Sequence, residues 1–436
     1  MADVEGNLLI LWQIECCDWL FLRRAVDTGG WRRNDAGMFH VMAKPTGAIC
    51  NLDCKYCFFL SKEELGRERM GEDVQESYIR QVVEAAKGAP SVTIAWQGGE
   101  PTIMGLDFFR RALELTRKYV RPGTTVEHTF QTNGTLLDEE WCRFFADNRI
   151  LAGLSLDGPR EIHDAYRVDK GGRPTFEKVM RAARLLQAAG AEFNILCTVH
   201  AANGERPLEV YQFFRDEVRA KYLQFIPIVE RVGEAGVTDR SVGPEQWGRF
   251  LNAIFDEWVR RDVGRVYVQH FDSALACWHG AGAALCIHQE TCGQAMALMP
   301  NGDVYSCDHY VEPAYLLGNI MRDSLVEIAS SPKQVAFGLD KRDGLPRYCR
   351  ECSVRFACQG ECPKSRFLTT PDGEAGLNYL CAGHKLFFGH IDKPMRMMSA
   401  LVREGRAAAE VMGMLAEQAR QRKMGMPTRA RAAWER

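Results

Sequence analysis

The chain has 436 residues and a formal net charge of −2 at neutral pH. That length is enough for two or three domains with large hydrophobic cores. The small net charge argues against a nucleic-acid-binding protein, and no apolar stretch of the sequence is long enough to span a membrane.

Cysteine usage predicts the compartment and the kind of site. The chain has 16 cysteines, several of them closely spaced. The apolar stretch at 8–22 contains Gln13, Glu15 and Asp18 and has no basic region before it, so it is a poor secretion signal. Closely spaced cysteines in a protein without such a signal favour metal sites over disulfides, which predicts a cytoplasmic location.

The first 37 residues do not continue the pattern of the rest of the chain. They combine an apolar stretch, a glycine turn and a charged run. Met38 or Met42 would be a natural start beside a predicted strand at 39–43. We therefore expect residues 1–37 to be a disordered extension or the product of a mis-set start codon.

Three cysteines, Cys50, Cys54 and Cys57, follow that first strand at C-x3-C-x2-C spacing, with Tyr56 directly before the third. Three thiolates are one fewer than an ordinary [4Fe–4S] cluster uses, so one iron would be open to another ligand. The alternatives are a zinc knuckle or three buried free thiols. Zinc sites usually take four ligands in two pairs, which this motif does not supply.

From 38 to 230, strand and helix patterns alternate. Strands are predicted at 92–96, 126–131, 150–156, 193–199 and 222–228, with helices at 106–120, 179–189 and 208–218. Repeated βα units predict an α/β barrel or open barrel, in which chemistry sits at the carboxyl ends of the strands. Cys142 and Cys197 fall inside a helix and a strand and are predicted to be buried.

A turn with paired glycines follows the predicted strand at 92–96. Its sequence is Gln97, Gly98, Gly99, Glu100 and Pro101. Glycines lack a Cβ atom, so the backbone here can approach a ligand closely. A Gly-Gly pair alone is more often an ordinary turn, but this one lies at a strand end.

A second block of cysteines begins at residue 286. Strand patterns at 296–299 and 304–306 flank Pro300, Asn301, Gly302 and Asp303, which predicts a hairpin that brings the cysteines on either side together. The eight cysteines of the block are Cys286, Cys292, Cys307, Cys349, Cys352, Cys358, Cys362 and Cys381. Eight thiolates suffice for two [4Fe–4S] clusters or for a pair of structural zinc sites.

The two cysteine blocks and the Gly-Gly turn together resemble radical S-adenosylmethionine (SAM) enzymes with a SPASM extension. The resemblance implies a partial (β/α)6 TIM-type barrel, followed by a SPASM domain with two auxiliary iron–sulfur clusters. It also implies three [4Fe–4S] clusters in all, one of which binds SAM at its open iron. In that family Cys286, Cys292, Cys307 and Cys362 would hold one auxiliary cluster, and Cys349, Cys352, Cys358 and Cys381 the other.

The resemblance also implies residues that bind SAM. They are Tyr56, Gln97, Gly98, Gly99, Glu100, Ser155, Arg167 and Leu223. The backbone of 97–101 would hold the SAM amino group, Ser155 and Arg167 its ribose and carboxylate, and Leu223 would pack on the adenine. From the residues alone, Ser155 is equally a strand-end hydroxyl, Arg167 a solvated side chain and Leu223 part of the core.

Residues 38–395 as a whole resemble the anaerobic sulfatase-maturating enzymes. The likeness includes the segments 97–101, 131–136, 153–158, 193–196 and 224–226, together with His163 and the pair Cys307-Asp308. It implies that Asp308 is a general base beside an auxiliary cluster. Taken by itself, Asp308 is equally an aspartate that caps a turn.

By this resemblance, the enzyme takes a hydrogen atom from Cβ of a cysteine or serine in an unfolded sulfatase and produces Cα-formylglycine. The target would carry a C/S-x-P/A-x-R segment. An electron donor such as ferredoxin or flavodoxin would be a second partner. Neither a nucleic acid nor a membrane is an expected partner.

Two other functions remain open at this stage. A different SPASM enzyme would crosslink a ribosomal peptide, although residues 1–37 are too short for a peptide-recognition domain. A non-catalytic electron carrier would have four ligands at every cluster, which the three-cysteine motif does not provide.

The patterns divide the chain into five parts. These are an extension at 1–37, the barrel at 38–230, a connecting segment at 231–285, the SPASM domain at 286–395 and a C-terminal part at 396–436. In the connecting segment, helices are predicted at 244–260 and 273–279 and a strand at 266–270. In the last part we expect one exposed helix at 402–419 and then a disordered basic tail.

Overall fold

The computed structural model describes residues 39–60, 68–86 and 89–423. The predictions for residues 1–37 and for the end of the basic tail lie outside these ranges. None of the described helices is both long enough and apolar enough to cross a bilayer.

The predicted barrel is confirmed as a sheet of parallel strands whose spatial order follows the sequence. The strands are β1 (His40–Ala43), β2 (Ser91–Trp96), β3 (Thr125–Thr132), β4 (Leu151–Ser155), β5 (Phe193–Val199) and β6 (Tyr222–Pro227). The helices between them are α1 (Glu72–Ala85), α2 (Leu106–Tyr119), α3 (Glu139–Asp147), α4 (Arg160–Tyr166), α5 (Phe176–Ala189), α6 (Ala201–Gly204) and α7 (Pro207–Gln212). Helix α7 continues into a wider π turn at Phe213–Glu217.

Alternation along the strands separates a helix-facing core from an inner face. Phe130 on β3, Leu154 on β4 and Ile195 on β5 are buried in the same large apolar cluster. Gln131 and Ser155 point to the other face, where the Gln131 amide donates to the Ser155 hydroxyl at 3.0 Å. Because strand side chains alternate with a period of two, the polar residues line the barrel interior while the apolar ones pack under the helices.

Helix α5 shows how the sequence sets these elements. Val179, Ala182, Ala183 and Leu186 form one buried stripe, as helical periodicity predicts. The helix ends at Gly190, which has φ of 70° and donates its backbone N–H to the carbonyl of Gln187. Glycine adopts this left-handed conformation without a Cβ penalty, so it stops the helix as expected.

The connecting segment adds a strand to the barrel. It contains the short hairpin β7 (Arg231–Val232) and β8 (Gly236–Val237), then α8 (Pro244–Arg261), β9 (Tyr267–Val268) and α9 (Gln269–His279). Strand β9 is shorter than the predicted 266–270, and α9 begins earlier than the predicted 273. Strand β9 pairs in parallel with β6, so the connection extends the sheet.

The cysteine-rich part also joins the barrel sheet. The predicted hairpin is confirmed as β10 (Ala295–Leu298) and β11 (Asp303–Tyr305), which pair antiparallel, and β12 (Leu316–Asn319) continues it. Strand β10 pairs in parallel with β1, with Val41 opposite Met296. Further elements are α10 (Leu325–Ala329), α11 (Pro332–Asp343), α12 (Arg347–Arg350), α13 (Arg355–Cys358), β13 (Leu368–Thr369) and β14 (Ala375–Leu377).

The prediction of one exposed helix at 402–419 is wrong. Helix α14 spans Cys381–Arg403 and passes through the predicted boundary after residue 395. Gly405, two residues after its last residue, has φ of 71°, and the backbone N–H of Arg406 donates to the carbonyl of Leu401. A separate helix α15 (Val411–Lys423) then begins with Val411 fully buried. The composition favoured helix throughout, but a glycine with positive φ divides it.

Candidate active site

The loop after β1, which contains the first three cysteines, is held against the Gly-Gly turn that follows β2. The backbone N–H of Gly99 donates to the carbonyl of Gly47 at 2.8 Å, and that of Glu100 to Ile49 at 2.9 Å. The backbone N–H of Gln97 donates to Ala43 at 2.9 Å. The turn and the cysteine loop therefore form one unit at the carboxyl edge of the sheet.

Gly99 is required at this contact. A Cβ atom added to Gly99 would lie 2.0 Å from the carbonyl oxygen of Ile49. We expect Gly99→Ala to push the cysteine loop away and to lower the free energy of unfolding by about 2 kcal/mol or more. Gly389→Ala on helix α14 is the matched control, since an added Cβ there meets no atom of the described residues within 4 Å. Chemical denaturation and iron content of both variants check this. Equal behaviour of the two would contradict the prediction.

Glu100 uses its side chain inside the protein. Its buried carboxylate accepts hydrogen bonds from the Thr102 and Thr132 hydroxyls and from the backbone N–H groups of Thr102 and Asn133. Burial still raises the pKa of Glu100. With the carboxylate engaged in this way, a cofactor contact by Glu100 would be limited to its backbone.

The three cysteines of the loop are close enough to affect one another. The Sγ of Cys50 accepts from the backbone N–H of Leu52 at 3.4 Å and faces the Asn133 amide at 3.7 Å. Burial raises the pKa of Cys50 to about 11 and that of Cys54 to about 12, and the neighbouring Cys57 adds to both shifts. Such thiols become thiolates when a metal replaces the proton.

These three thiols fit the donor set of an iron–sulfur cluster. Within the described ranges, no three Cys, His, Asp or Glu side chains close around one metal ion. A [4Fe–4S] cluster binds its cysteines through different iron atoms, so the thiolates are spread around it rather than gathered at one point. All the described cysteines are free of disulfides.

A buried charge network lies beside the cysteine loop. Asp157 is fully buried and accepts from the Tyr56 hydroxyl, from Arg167 Nε at 3.0 Å and from the backbone N–H of Thr198 at 3.0 Å. Burial alone would raise the pKa of Asp157, but the Arg167 guanidinium holds it below the usual value. Arg167 is therefore a buried, paired side chain rather than a solvated one. Its charge also lowers the pKa of Cys54, in opposition to the effect of burial.

The predicted SAM contacts separate into two groups. Tyr56, Ser155 and Arg167 lie with the Gly-Gly turn at the carboxyl edge of the sheet, and their contacts with SAM remain predictions. Leu223 does not lie there. It is the second residue of β6, stands opposite Ile195 and is 1% exposed in the helix-facing core. The structure contradicts the prediction that Leu223 packs on adenine, because Leu223 lies near the amino end of β6 and faces the core under the helices.

The second cysteine block divides into two sets. Burial and Glu361 raise the pKa of Cys362, and the thiols of Cys307 and Cys292 raise it further. The same three thiols add to the raised pKa of the buried Tyr310. A separate set contains Cys349, Cys352, Cys358 and Cys381. Charge effects fall off with distance, so this division supports the interleaved ligand sets expected from the resemblance. Cys286 is exposed, its carbonyl accepts from Lys341 at 2.6 Å, and its place in the first set remains a prediction.

Asp308 lies in a turn directly after Cys307, and its Oδ1 pairs with the ammonium of Lys44. Burial opposes ionisation, yet Lys44 and the nearby His309 hold the pKa of Asp308 below its usual value. Lys44 directly follows β1, so the ion pair joins the barrel to the cysteine-rich part. The sequence analysis missed this partner, although a lysine at the carboxyl end of a barrel strand was a usable signal.

Comparison with known proteins decides the family. The model of the radical SAM superfamily matches residues 45–214, and that of an iron–sulfur cluster-binding domain, SPASM, matches residues 286–353. The serine-type anaerobic sulfatase-maturating enzyme of Bacteroides thetaiotaomicron is 45% identical over 86% of this chain and 94% of its own length. The chain belongs to the anaerobic sulfatase-maturating enzymes.

Other members of this family support the assignment. The cysteine-type enzyme of Clostridium perfringens is 35% identical over 80% of this chain and 95% of its own length. A solved structure described as native anSMEcpe with bound AdoMet and Kp18Cys peptide is 33% identical, with a TM-score of 0.75 over 83% of this chain and 99% of that one. The sulfatase-maturating enzyme described here is thus a radical SAM enzyme with a SPASM domain, and both domains imply iron–sulfur clusters.

Proposed function

We propose that this chain oxidises a cysteine or serine side chain of an unfolded sulfatase to Cα-formylglycine, with SAM as the source of the radical. The observation that carries the proposal is the placement of Asp308. This carboxylate, from the cysteine-rich part, pairs with Lys44 at the carboxyl end of β1, and the cysteine loop follows Lys44 directly. A base and a radical site would then face the same substrate.

The proposed cofactors are one [4Fe–4S] cluster at each of the three cysteine sets. Cys50, Cys54 and Cys57 would hold the cluster that binds SAM, which supplies a 5′-deoxyadenosyl radical when bound. The auxiliary clusters would be held by the two sets in the cysteine-rich part, with Cys286 as the fourth ligand of the first set.

The chain's own residues would then orient the reactants and move a proton. Asp157 keeps Arg167 and Tyr56 in place beside the cysteine loop. A hydrogen atom leaves Cβ of the target residue, and Asp308 accepts the proton of its Oγ or Sγ, which is the role of a general base within hydrogen-bond reach. One further electron must leave to complete the two-electron oxidation, and an auxiliary cluster held by the second cysteine block would supply its acceptor. Serine then yields the aldehyde directly, and cysteine yields a thioaldehyde that water hydrolyses.

Two partners follow from this chemistry. The first is an unfolded sulfatase segment of the form C/S-x-P/A-x-R. The second is a one-electron carrier such as ferredoxin or flavodoxin. The names of the relatives include both serine-type and cysteine-type enzymes, so both target residues belong in the test.

The deciding experiment uses anaerobically reconstituted protein with SAM, reductant and peptides that carry Cys-x-Pro-x-Arg or Ser-x-Pro-x-Arg. Mass spectrometry follows the peptide, and chromatography follows 5′-deoxyadenosine. An aldehyde peptide formed together with 5′-deoxyadenosine supports the proposal. Deoxyadenosine with both peptides unchanged would redirect it to another peptide substrate. If cluster-loaded protein forms neither the aldehyde nor 5′-deoxyadenosine, the proposal is overturned.

Asp308→Asn is expected to lower aldehyde formation about 100-fold or more, because general-base catalysis contributes that order of rate. Cleavage of SAM should persist, since Asp308 is not a ligand of the first cysteine set. The control is Asp340→Asn, an exposed carboxylate on α11. The ratio of aldehyde to 5′-deoxyadenosine in the three proteins is the measurement. An unchanged ratio in Asp308→Asn would remove Asp308 as the base.

A further inference from the structure

Lys44 is a buried lysine at the junction of the barrel and the cysteine-rich part. It is 2% exposed and directly follows β1, with its backbone N–H donating to the carbonyl of Leu298 on β10 at 2.9 Å. Its ammonium pairs with Asp308 and lies 4.3 Å from the centre of the Phe59 ring. Burying an ammonium is costly unless it is paired, so the position of Lys44 depends on Asp308.

The two oxygens of Asp308 are in different situations. Oδ1 is buried and faces the Lys44 ammonium. Oδ2 makes no ion pair or hydrogen bond with any residue in the part of the chain that the structure describes, and the side chain retains 19% of its exposure. One oxygen is thus held and the other is available. The nearby charges of His309 and Lys364 also lower the pKa of Asp308, although less than Lys44 does.

Lys44 also lies beside the Gly-Gly turn and the cysteine loop. A Cβ atom added to Gly98 in the Gly-Gly turn would lie 2.9 Å from the Cβ of Lys44. Phe59, beneath the ammonium, belongs to the loop that carries Cys57. The same side chain therefore contacts the turn, the cysteine loop and the carboxylate from the cysteine-rich part.

We propose that Lys44 is a positioning residue for Asp308. By holding Oδ1, it directs Oδ2 toward the substrate side chain, where Oδ2 accepts the proton from Oγ or Sγ and the carboxylate becomes a carboxylic acid. This inference rests on the proposed function, because it assigns Lys44 a role in the same proton transfer.

The first test separates hydrogen abstraction from completion of the reaction. A peptide dideuterated at Cβ of its target residue reports abstraction through deuterium in 5′-deoxyadenosine, and the aldehyde reports completion. For Lys44→Met we expect deuterium transfer to persist while the aldehyde formed per deoxyadenosine falls about 10-fold or more. Lys364→Met, which removes a nearby charge that does not pair with Asp308, should change this ratio less than threefold.

The second test measures the coupling between Lys44 and Asp308 through thermal stability, without an activity assay. Thermal unfolding midpoints are measured for cluster-loaded wild-type protein, Lys44→Met, Asp308→Asn and the double variant. Residues that act as a pair give a double variant that loses less than the sum of the single losses. The same non-additivity is expected in aldehyde yield, since Lys44→Met should add little once Asp308 is asparagine.

The outcomes distinguish this inference from the function on which it rests. Additive unfolding shifts, or a Lys44→Met protein with an unchanged aldehyde-to-deoxyadenosine ratio beside an active wild type, would overturn the role of Lys44 alone. Loss of deuterium transfer in Lys44→Met would assign Lys44 to the radical site instead. A wild-type protein that forms no aldehyde would overturn the proposed function and the role of Lys44 with it.

Discussion

Cys54→Ala is expected to abolish SAM cleavage, with 5′-deoxyadenosine below detection. Three cysteines follow β1, and a cluster that keeps one iron open for SAM has no spare protein ligand to lose. After burial, which raises the pKa of Cys54, the largest influence on that pKa is the Arg167 guanidinium, which lowers it. Removing it would therefore uncouple the cluster from the charge network as well as remove a ligand. Iron content, the absorbance of the cluster and deoxyadenosine yield are the measurements.

The control for this variant is Cys142→Ala. Cys142 is fully buried inside α3, among apolar side chains of the core. We expect it to cost about 1 kcal/mol of stability as a core truncation and to leave cleavage intact. Cleavage retained in Cys54→Ala, or lost in Cys142→Ala, would show that the cysteines had been assigned wrongly.

The repeated elements of the barrel were accessible to sequence analysis because they are local. The strand at 193–199 and the helix ending at Gly190 are where the pattern places them. Cys142 and Cys197 are buried as predicted. Each of these features depends on hydrophobic period and on capping within a single segment, which a sequence expresses directly.

The features that were missed depend on how segments meet. Strand β10 pairs with β1, more than 200 positions earlier in the chain, and this pairing brings Asp308 to Lys44. Leu223 was misplaced because the face of a strand residue is set by register, and a shift of one residue reverses the face. Sequence spacing gives neither the pairing of β10 with β1 nor the register that sets the face of Leu223. These features could be identified only from the structure.

Asp157 was also missed as a separate residue, although it stood within the segment 153–158 that carried the family resemblance. An aspartate one residue beyond a buried strand suggests a site residue, but it does not show which cation it meets. The structure shows that it meets Arg167 and Tyr56 together. That pairing makes Asp157 the residue on which the orientation of both predicted SAM contacts depends.

Asp157→Asn is accordingly the second change with a large expected effect. Asp157 is fully buried, as is most of Arg167, which is 7% exposed. Neutralising one partner of a buried pair leaves an uncompensated charge, and we expect the free energy of unfolding to fall by about 3 kcal/mol. Asparagine also presents an amide toward Arg167 Nε or the Thr198 backbone N–H, where Asp157 presents only acceptors.

The same variant should bind SAM about 100-fold more weakly, since both Arg167 and Tyr56 lose their common anchor and two misplaced contacts cost about 3 kcal/mol. Denaturant unfolding measures the stability, and the SAM-dependent change in the cluster's electron paramagnetic resonance signal measures binding. Asp372→Asn is the control, because its pairing with Arg347 is on the surface and is expected to contribute less than about 1 kcal/mol. If Asp157→Asn lost stability but bound SAM normally, the network would serve the fold alone, and Arg167 would have no role in holding the cofactor.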